Sequence, residues 1–146
     1  MLEPNRLMYA MRFALIVDDD PVLQSVMSRH LERMSFEVAR ALHYGAAVVH
    51  LTARRPHLVC VNLELPTQSG YELCEYIRGP LGLTGVPILV TSDCRFARDL
   101  ASAEEAGANA FLKKPFTMRE LTTCIDALLG KTHRSDPPPN YNRSTP

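Results

Sequence analysis

The chain has 146 residues and a mass of 16.3 kDa, a size that favours one domain with a hydrophobic core of its own. Its 16 basic residues balance its 16 acidic ones, so the net charge gives no reason to expect a nucleic acid or an anionic membrane as partner. No apolar stretch is long enough for a transmembrane helix and no signal-peptide pattern is present, which favours a cytoplasmic protein.

Short apolar runs alternate along the chain with segments of helical periodicity. The predicted strands are Phe13–Val17, Glu37–Ala41, Leu58–Asn62, Pro87–Thr91 and Ala110–Lys113. The predicted helices run from Pro21 to about Ser35, from Tyr44 to Ala53, through Leu73, Cys74 and Ile77, from about Phe96 to Ala106, and from Met118 to Leu129. We expect this domain to span residues 12–130, with a flexible leader at residues 1–11 and a flexible proline-rich tail at residues 131–146.

Two of the predicted helix ends carry signals of their own. Pro21 follows Asp18, Asp19 and Asp20, and acids before a proline in the first turn make a good helix start because they face unpaired amides. Gly107 follows the fourth helix, where glycine easily adopts a left-handed cap.

The four cysteines lie within the apolar segments and lack the paired spacing of a metal site. They are Cys60, Cys74, Cys94 and Cys124. We expect reduced thiols that serve as small core residues.

Five strands that alternate with five helices predict an α/β fold, a doubly wound five-stranded parallel sheet of the flavodoxin-like type. Open sheets of this kind bind ligands beyond the carboxyl ends of their strands. In this chain that edge would carry Asp18, Asp19, Asn62, Thr91 and Lys114.

The pair Asp18 and Asp19 could hold a hard divalent cation, because Mg²⁺ prefers carboxylate oxygens. The alternative for the three acids that end at Asp20 is helix capping, and both roles are compatible if one acid caps while its neighbours face the cleft. Taken alone, Thr91 could be an ordinary strand end and Lys114 a solvated lysine. Their shared position at strand ends is what indicates a site.

Several short motifs occur in order along the chain. They are Ala-Leu-Ile-Val-Asp-Asp-Asp at residues 14–20, Thr91-Ser92, Gly107-Ala108 and Lys114-Pro115-Phe116. With these motifs, the sequence from Phe13 to about Leu129 resembles the receiver domain of bacterial two-component response regulators. The resemblance implies that Asp18 and Asp19 form the acidic pair of the family and that Thr91 is its switch hydroxyl. It further implies that Phe111 is the aromatic switch and that the peptide between Lys114 and Pro115 is cis.

The sequence departs from this family at Asn62, where the family has the aspartate that accepts phosphate from a histidine kinase. An amide has neither the charge nor the nucleophilicity of a carboxylate, so we expect no aspartyl phosphorylation. Either Asn62 is natural, which makes this an atypical pseudo-receiver, or it is a substitution in an ordinary phosphoacceptor receiver. We favour the first. No cofactor is required in this interpretation, and Mg²⁺ binding is expected to be weak because one carboxylate is missing and Lys114 offsets part of the remaining charge.

A pseudo-receiver would act through protein contacts with a signalling protein or an output domain, and not as an enzyme. In the family, the face made by the fourth helix, the last strand and the fifth helix commonly mediates dimers and output. Here that face would include Arg95, Arg98, Asp99, Phe111 and Arg119, and it could form a homodimer. We expect no nucleic acid and no membrane as partner of this chain alone.

Three alternatives remain open on the sequence. A haloacid-dehalogenase-like phosphohydrolase would use Asp18 as nucleophile and Asp20 as acid and base, although no acidic pair follows Lys114. A small-molecule-binding flavodoxin-like module would need a phosphate cradle after the first strand, where acids stand instead. A DNA-binding regulator is conceivable only if the chain is a fragment, because no helix-turn-helix unit follows residue 130.

Overall fold

A computed structural model describes residues 11–93 and 97–130 of the chain. Most of the predicted leader, the predicted tail, Cys94, Arg95 and Phe96 lie outside the described residues. Within the described part, no helix combines the length and the apolar character needed to cross a membrane.

The described residues form five parallel strands and five helices that alternate along the chain. The strands are β1 (Arg12–Val17), β2 (Phe36–Ala41), β3 (Leu58–Asn62), β4 (Ile88–Ser92) and β5 (Ala110–Lys113). The helices are α1 (Pro21–Arg33), α2 (Tyr44–Ala53), α3 (Gly70–Arg78), α4 (Ala97–Ala106) and α5 (Met118–Gly130). The strand order is β2-β1-β3-β4-β5, which confirms the predicted flavodoxin-like sheet.

The sheet is covered on both faces, which explains its unbroken apolar strands. On one face, Val59 and Val61 of β3 belong to a core layer with residues of α2, α3 and α4. On the other face, Leu58 and Cys60 belong to a layer with residues of α1 and α5. Successive residues of a strand point to opposite sides, so the four apolar residues of β3 divide between the two layers.

The element boundaries differ from the predicted ones by one or two residues. Helix α1 ends at Arg33 and not at about Ser35, because Ser35 has a φ of 70° and lies outside the helical region. Strand β4 runs to Ser92, one residue beyond the predicted end. Gly107 has a φ of 115°, so the predicted change to a left-handed conformation after α4 is confirmed.

The guanidinium of Arg78, at the end of α3, forms hydrogen bonds with the loops that precede β4 and β5 at the amino edge of the sheet. Its Nη1 donates to the backbone oxygens of Leu83 and Val86 at 2.6 and 2.7 Å. Its Nε donates to Gly107 O at 3.0 Å and its Nη2 to Asn109 Oδ1 at 2.7 Å. Partial burial lowers the pKa of Arg78. No sequence pattern predicts this network.

Three of the four cysteines lie in the described residues, and they are buried and free as predicted. Burial raises the pKa of the Cys74 and Cys124 thiols to about 12 and raises that of Cys60 as well. These thiols are therefore neutral core side chains at physiological pH.

Candidate functional site

The carboxyl edge of the sheet brings together the residues predicted to form a site. Asp18 follows β1, Asn62 ends β3 and pairs in register with Thr91 of β4, and Lys114 follows β5. Asp18, Asn62 and Thr91 are buried, with exposed fractions of 2%, 3% and 1%. Asp19 lies next to them and is exposed. The prediction from strand ends therefore placed four elements correctly around one cleft.

Lys114 forms an ion pair with Asp18. The Lys114 Nζ and Asp18 Oδ2 atoms are 3.0 Å apart, and the other oxygen of Asp18 accepts the backbone N–H of Asp20 at 2.9 Å. The backbone N–H of Lys114 donates to Ser92 O at 2.7 Å, and the peptide bond to Pro115 is cis. Lys114 is therefore anchored between strand ends, which differs from the solvated surface lysine that was its alternative.

The amide of Asn62 faces the second carboxylate of the cleft. Its Nδ2 atom donates to Asp19 Oδ1 at 3.3 Å and to Glu64 O at 3.1 Å, while its Oδ1 accepts the Glu64 N–H at 3.4 Å. An ionised aspartate at this position has no hydrogen to donate, so it could not make the first two contacts. Both the nitrogen and the oxygen of the Asn62 amide therefore form hydrogen bonds.

Asp20 caps helix α1. Its Oδ1 accepts the backbone N–H groups of Val22 and Leu23 at 2.9 and 3.2 Å. Two of the three consecutive acids thus face the cleft and the third caps, as the sequence allowed. The phosphohydrolase alternative needs Asp20 as an acid and base, and this capping role does not provide that.

The donor set of the cleft fits a Mg²⁺ ion poorly. The described residues contain no group of three or more His, Cys, Asp or Glu side chains that could hold a metal. Asp18 is ion-paired with Lys114, and Asp19 accepts a hydrogen bond from Asn62. The charge of Asp18 is therefore offset by Lys114 and Asp19 accepts one neutral hydrogen bond, and weak Mg²⁺ binding stays a prediction.

Phe111 does not belong to the predicted partner surface. It is 3% exposed and packs in the core layer that contains Val90 of β4 and Ala103 of α4. The prediction failed because β5, although it is an edge strand, is covered by helices on both faces. Arg98 and Arg119 are exposed near the starts of α4 and α5, Asp99 is half-buried, and Arg95 lies outside the described residues.

Two residues next to the cleft were missed by the sequence analysis. Glu64 accepts hydrogen bonds from the end of β4, through Ser92 Oγ and the Asp93 N–H. Gly70 packs so closely that a Cβ atom there would lie 2.4 Å from Asn62 O and 2.7 Å from Leu63 Cα. The only sequence signals were an acid two residues after Asn62 and a glycine in the following turn.

The sequence is similar to known response regulators. The family model of the response regulator receiver domain matches residues 14–126. The transcriptional regulatory protein GltR of Pseudomonas aeruginosa is 34% identical over 119 residues, which are 81% of this chain and 49% of that protein. The transcriptional regulator RpaA of Synechocystis is 28% identical over 120 residues, which are 82% of this chain and 50% of that protein. The chain spans about half the length of these curated relatives.

Solved structures share the fold. A CheY-like receiver domain protein from Methanospirillum hungatei superposes with a TM-score of 0.79 at 24% identity, covering 87% of this chain and 100% of that one. The BeF₃-activated receiver domain of DrrB gives a TM-score of 0.72 at 23% identity, covering 82% of this chain and 98% of that one. With a family model matched from β1 into α5, the chain belongs to the response regulator receiver domain family.

Proposed function

We propose that this receiver domain of a two-component response regulator works without phosphorylation at its acceptor position and signals through protein contacts. The observation that carries the proposal is the amide of Asn62, which donates to Asp19 Oδ1 where the family has a nucleophilic aspartate. Phosphoryl transfer to a side chain requires an electron pair that attacks phosphorus, and the nitrogen of a carboxamide is not such a nucleophile.

The charges of the cleft support the same proposal. A third carboxylate would add repulsion to Asp18 and Asp19, which a cation relieves in an ordinary site. In this chain Lys114 lies 3.0 Å from Asp18, and an N–H of Asn62 points to Asp19. Lys114 and the N–H of Asn62 thus offset part of the negative charge of the two carboxylates, which weakens the attraction of the cleft for a cation.

The proposed signal is transmitted by binding of a protein partner to an exposed surface. Arg98 and Arg119 are exposed near the starts of α4 and α5, and Asp99 lies beside Arg98. Several relatives are named as transcriptional regulators, and this chain covers about half of them, so an output domain or another signalling protein is the proposed partner class. The same face is the proposed interface if the chain forms a homodimer. We expect no binding of nucleic acid by the described domain itself.

Nuclear magnetic resonance with beryllofluoride tests the phosphorylation part. This anion mimics a phosphoryl group when it coordinates a carboxylate. With BeF₃⁻ and Mg²⁺, amide resonances of the native chain around Asn62 and Thr91 should stay in place, while those of Asn62→Asp should shift. Asn62→Ala is the matched control and should behave like the native chain. Equal shifts in the native chain and Asn62→Asp would overturn the proposal.

Sedimentation or a binding titration tests the surface part. A self-association or partner interaction of the native chain should weaken in the double variant Arg98→Ala/Arg119→Ala, because both side chains are exposed on the proposed face. Arg29→Ala is the control, since Arg29 is exposed on α1. If the control weakens binding as much as the double variant does, the assignment of the face is wrong.

A further inference from the structure

The carboxylate of Glu64 reaches from one strand end to the next. Glu64 lies two residues beyond Asn62, and its Oε2 accepts a hydrogen bond from Ser92 Oγ at the end of β4. Its Oε1 makes a longer contact of 3.4 Å with the backbone N–H of Asp93. Both oxygens of one exposed carboxylate therefore face donors of a single short segment.

The amide of Asn62 holds the backbone of Glu64 in place. Asn62 Nδ2 donates to Glu64 O at 3.1 Å, and the Glu64 N–H reaches Asn62 Oδ1 at 3.4 Å. Only a side chain with both a donor and an acceptor can make these two contacts. An amide has both, whereas an ionised carboxylate has no donor. The Asn62 side chain therefore fixes the position of the Glu64 backbone.

The donors that Glu64 engages stand at the entry to α4. Strand β4 ends at Ser92, and Asp93 begins the connection to α4, which starts at Ala97. Ser92 is fully buried, with an exposed fraction of 0%. A hydroxyl that donates to a carboxylate makes a charge-assisted bond, which is stronger than a bond between neutral groups. Glu64 thus holds Ser92, the last residue of β4, and Asp93, which follows it.

We propose that the Ser92 hydroxyl and the Asp93 amide form a carboxylate-binding site at the end of β4, which Glu64 fills from within the chain. This carboxylate latch, made of Glu64, Ser92 and Asp93, fixes the end of β4 and the residue that follows it. A consequence is that the start of α4, at Ala97, is stabilised without a phosphoryl group. Only this consequence rests on the proposed function, because the latch does not depend on whether Asn62 is phosphorylated.

Native-state hydrogen exchange tests the latch. The amides of residues 101–104 bond to carbonyls of the first turn of α4, so they report opening of that turn. In Glu64→Ala their exchange should accelerate about fivefold, the effect of losing one typical hydrogen bond. Glu64→Gln should give a smaller acceleration, because its amide oxygen still accepts from Ser92 but carries no charge.

The control variant is Glu75→Ala, which removes an exposed glutamate of α3. It should leave the exchange of residues 101–104 unchanged. Amides in the last turn of α1, which open locally with the latch intact, should exchange equally in Glu64→Ala and Glu75→Ala. This comparison separates a local latch from a general loss of stability.

A double-mutant cycle with Ser92→Ala completes the test. If Glu64 acts through Ser92, adding Glu64→Ala to Ser92→Ala should give much less acceleration than Glu64→Ala gives alone. Fully additive effects, or equal exchange in Glu64→Ala and Glu75→Ala, would overturn the latch. All measurements use the unphosphorylated chain, so this result is separate from that of the beryllofluoride experiment.

Discussion

Restoring an aspartate at Asn62 should destabilise the protein in the absence of divalent cations. The substitution removes the hydrogens that Asn62 donates to Asp19 Oδ1 at 3.3 Å and to Glu64 O at 3.1 Å. It also places a negative charge in a cleft that already contains Asp18 and Asp19. The buried position of Asn62, which is 3% exposed, limits the relief that water can give.

The size of the effect follows from these contacts. Two like charges 4 Å apart repel by about 1 kcal/mol in water and by about 4 kcal/mol at an effective dielectric constant near 20. Because Asp19 is exposed, we take about 2 kcal/mol for the repulsion. The lost hydrogen bonds add about 1 kcal/mol. We therefore expect the free energy of unfolding of Asn62→Asp to fall by about 3 kcal/mol in EDTA.

Urea denaturation with and without Mg²⁺ measures both parts of this expectation. Saturating Mg²⁺ should return most of the lost stability to Asn62→Asp, since a ligand at about 100 times its Kd adds about 2.7 kcal/mol. Asn62→Ala is the control, because it removes the same hydrogen bonds and adds no charge. It should lose about 1 kcal/mol and, like the native chain, gain little from Mg²⁺.

Two results would refute this reasoning. One is a native chain that gains as much stability from Mg²⁺ as Asn62→Asp does, which would mean that Asp18 and Asp19 alone bind the cation well. The other is an Asn62→Asp variant as stable in EDTA as the native chain, which would mean that the carboxylates of the cleft do not repel each other appreciably.

Three further variants test interactions that stabilise the fold. Arg78→Lys should lower the free energy of unfolding by about 3 kcal/mol in urea denaturation, because one ammonium cannot replace the four hydrogen bonds of the guanidinium; an unchanged midpoint would contradict this. Gly70→Ala should cost about 2 kcal/mol, because the new Cβ would lie 2.4 Å from the backbone oxygen of Asn62, whereas Gly130→Ala, with no atom within 4 Å, should cost little. Burial raises the pKa of the Cys74 thiol from its ordinary value of 9.0 to about 12. The neutral thiol therefore contributes fully to stability below pH 9.0, and this contribution is lost as the pH rises through the folded-state pKa of about 12. Between these values stability should fall less steeply in Cys74→Ala than in the native chain, by about 1.4 kcal/mol per pH unit, and equal slopes would show that this thiol ionises freely in the folded state.

The fold was predictable because local signals agreed with one another. Unbroken apolar runs such as Leu58–Asn62 indicate strands covered on both faces, and their alternation with helical periodicity specifies a doubly wound sheet. Asp20 before Pro21 marked the start of α1, and its capping bonds confirm that signal. The end of α1 was less accurate, because a positive φ at Ser35 has no sequence signal of its own.

The site was predictable only as a set of positions. The rule that ligands lie beyond the carboxyl ends of strands located Asp18, Asn62 and Lys114, but it could not say which side chains pair. The contact between Lys114 and Asp18 joins residues 96 apart in the sequence, and that between Glu64 and Ser92 joins residues 28 apart. Such pairings depend on side-chain rotamers and on which strand ends lie together, which a single sequence does not reveal.

The most direct test of the account is intact mass measurement after incubation of the native chain with acetyl phosphate and Mg²⁺. The account predicts that the native chain keeps its mass, while Asn62→Asp gains one alkali-labile phosphoryl group, because only the variant offers an ionised nucleophile at the end of β3. A labile phosphoryl group on the native chain, mapped to residues of the cleft, would contradict it.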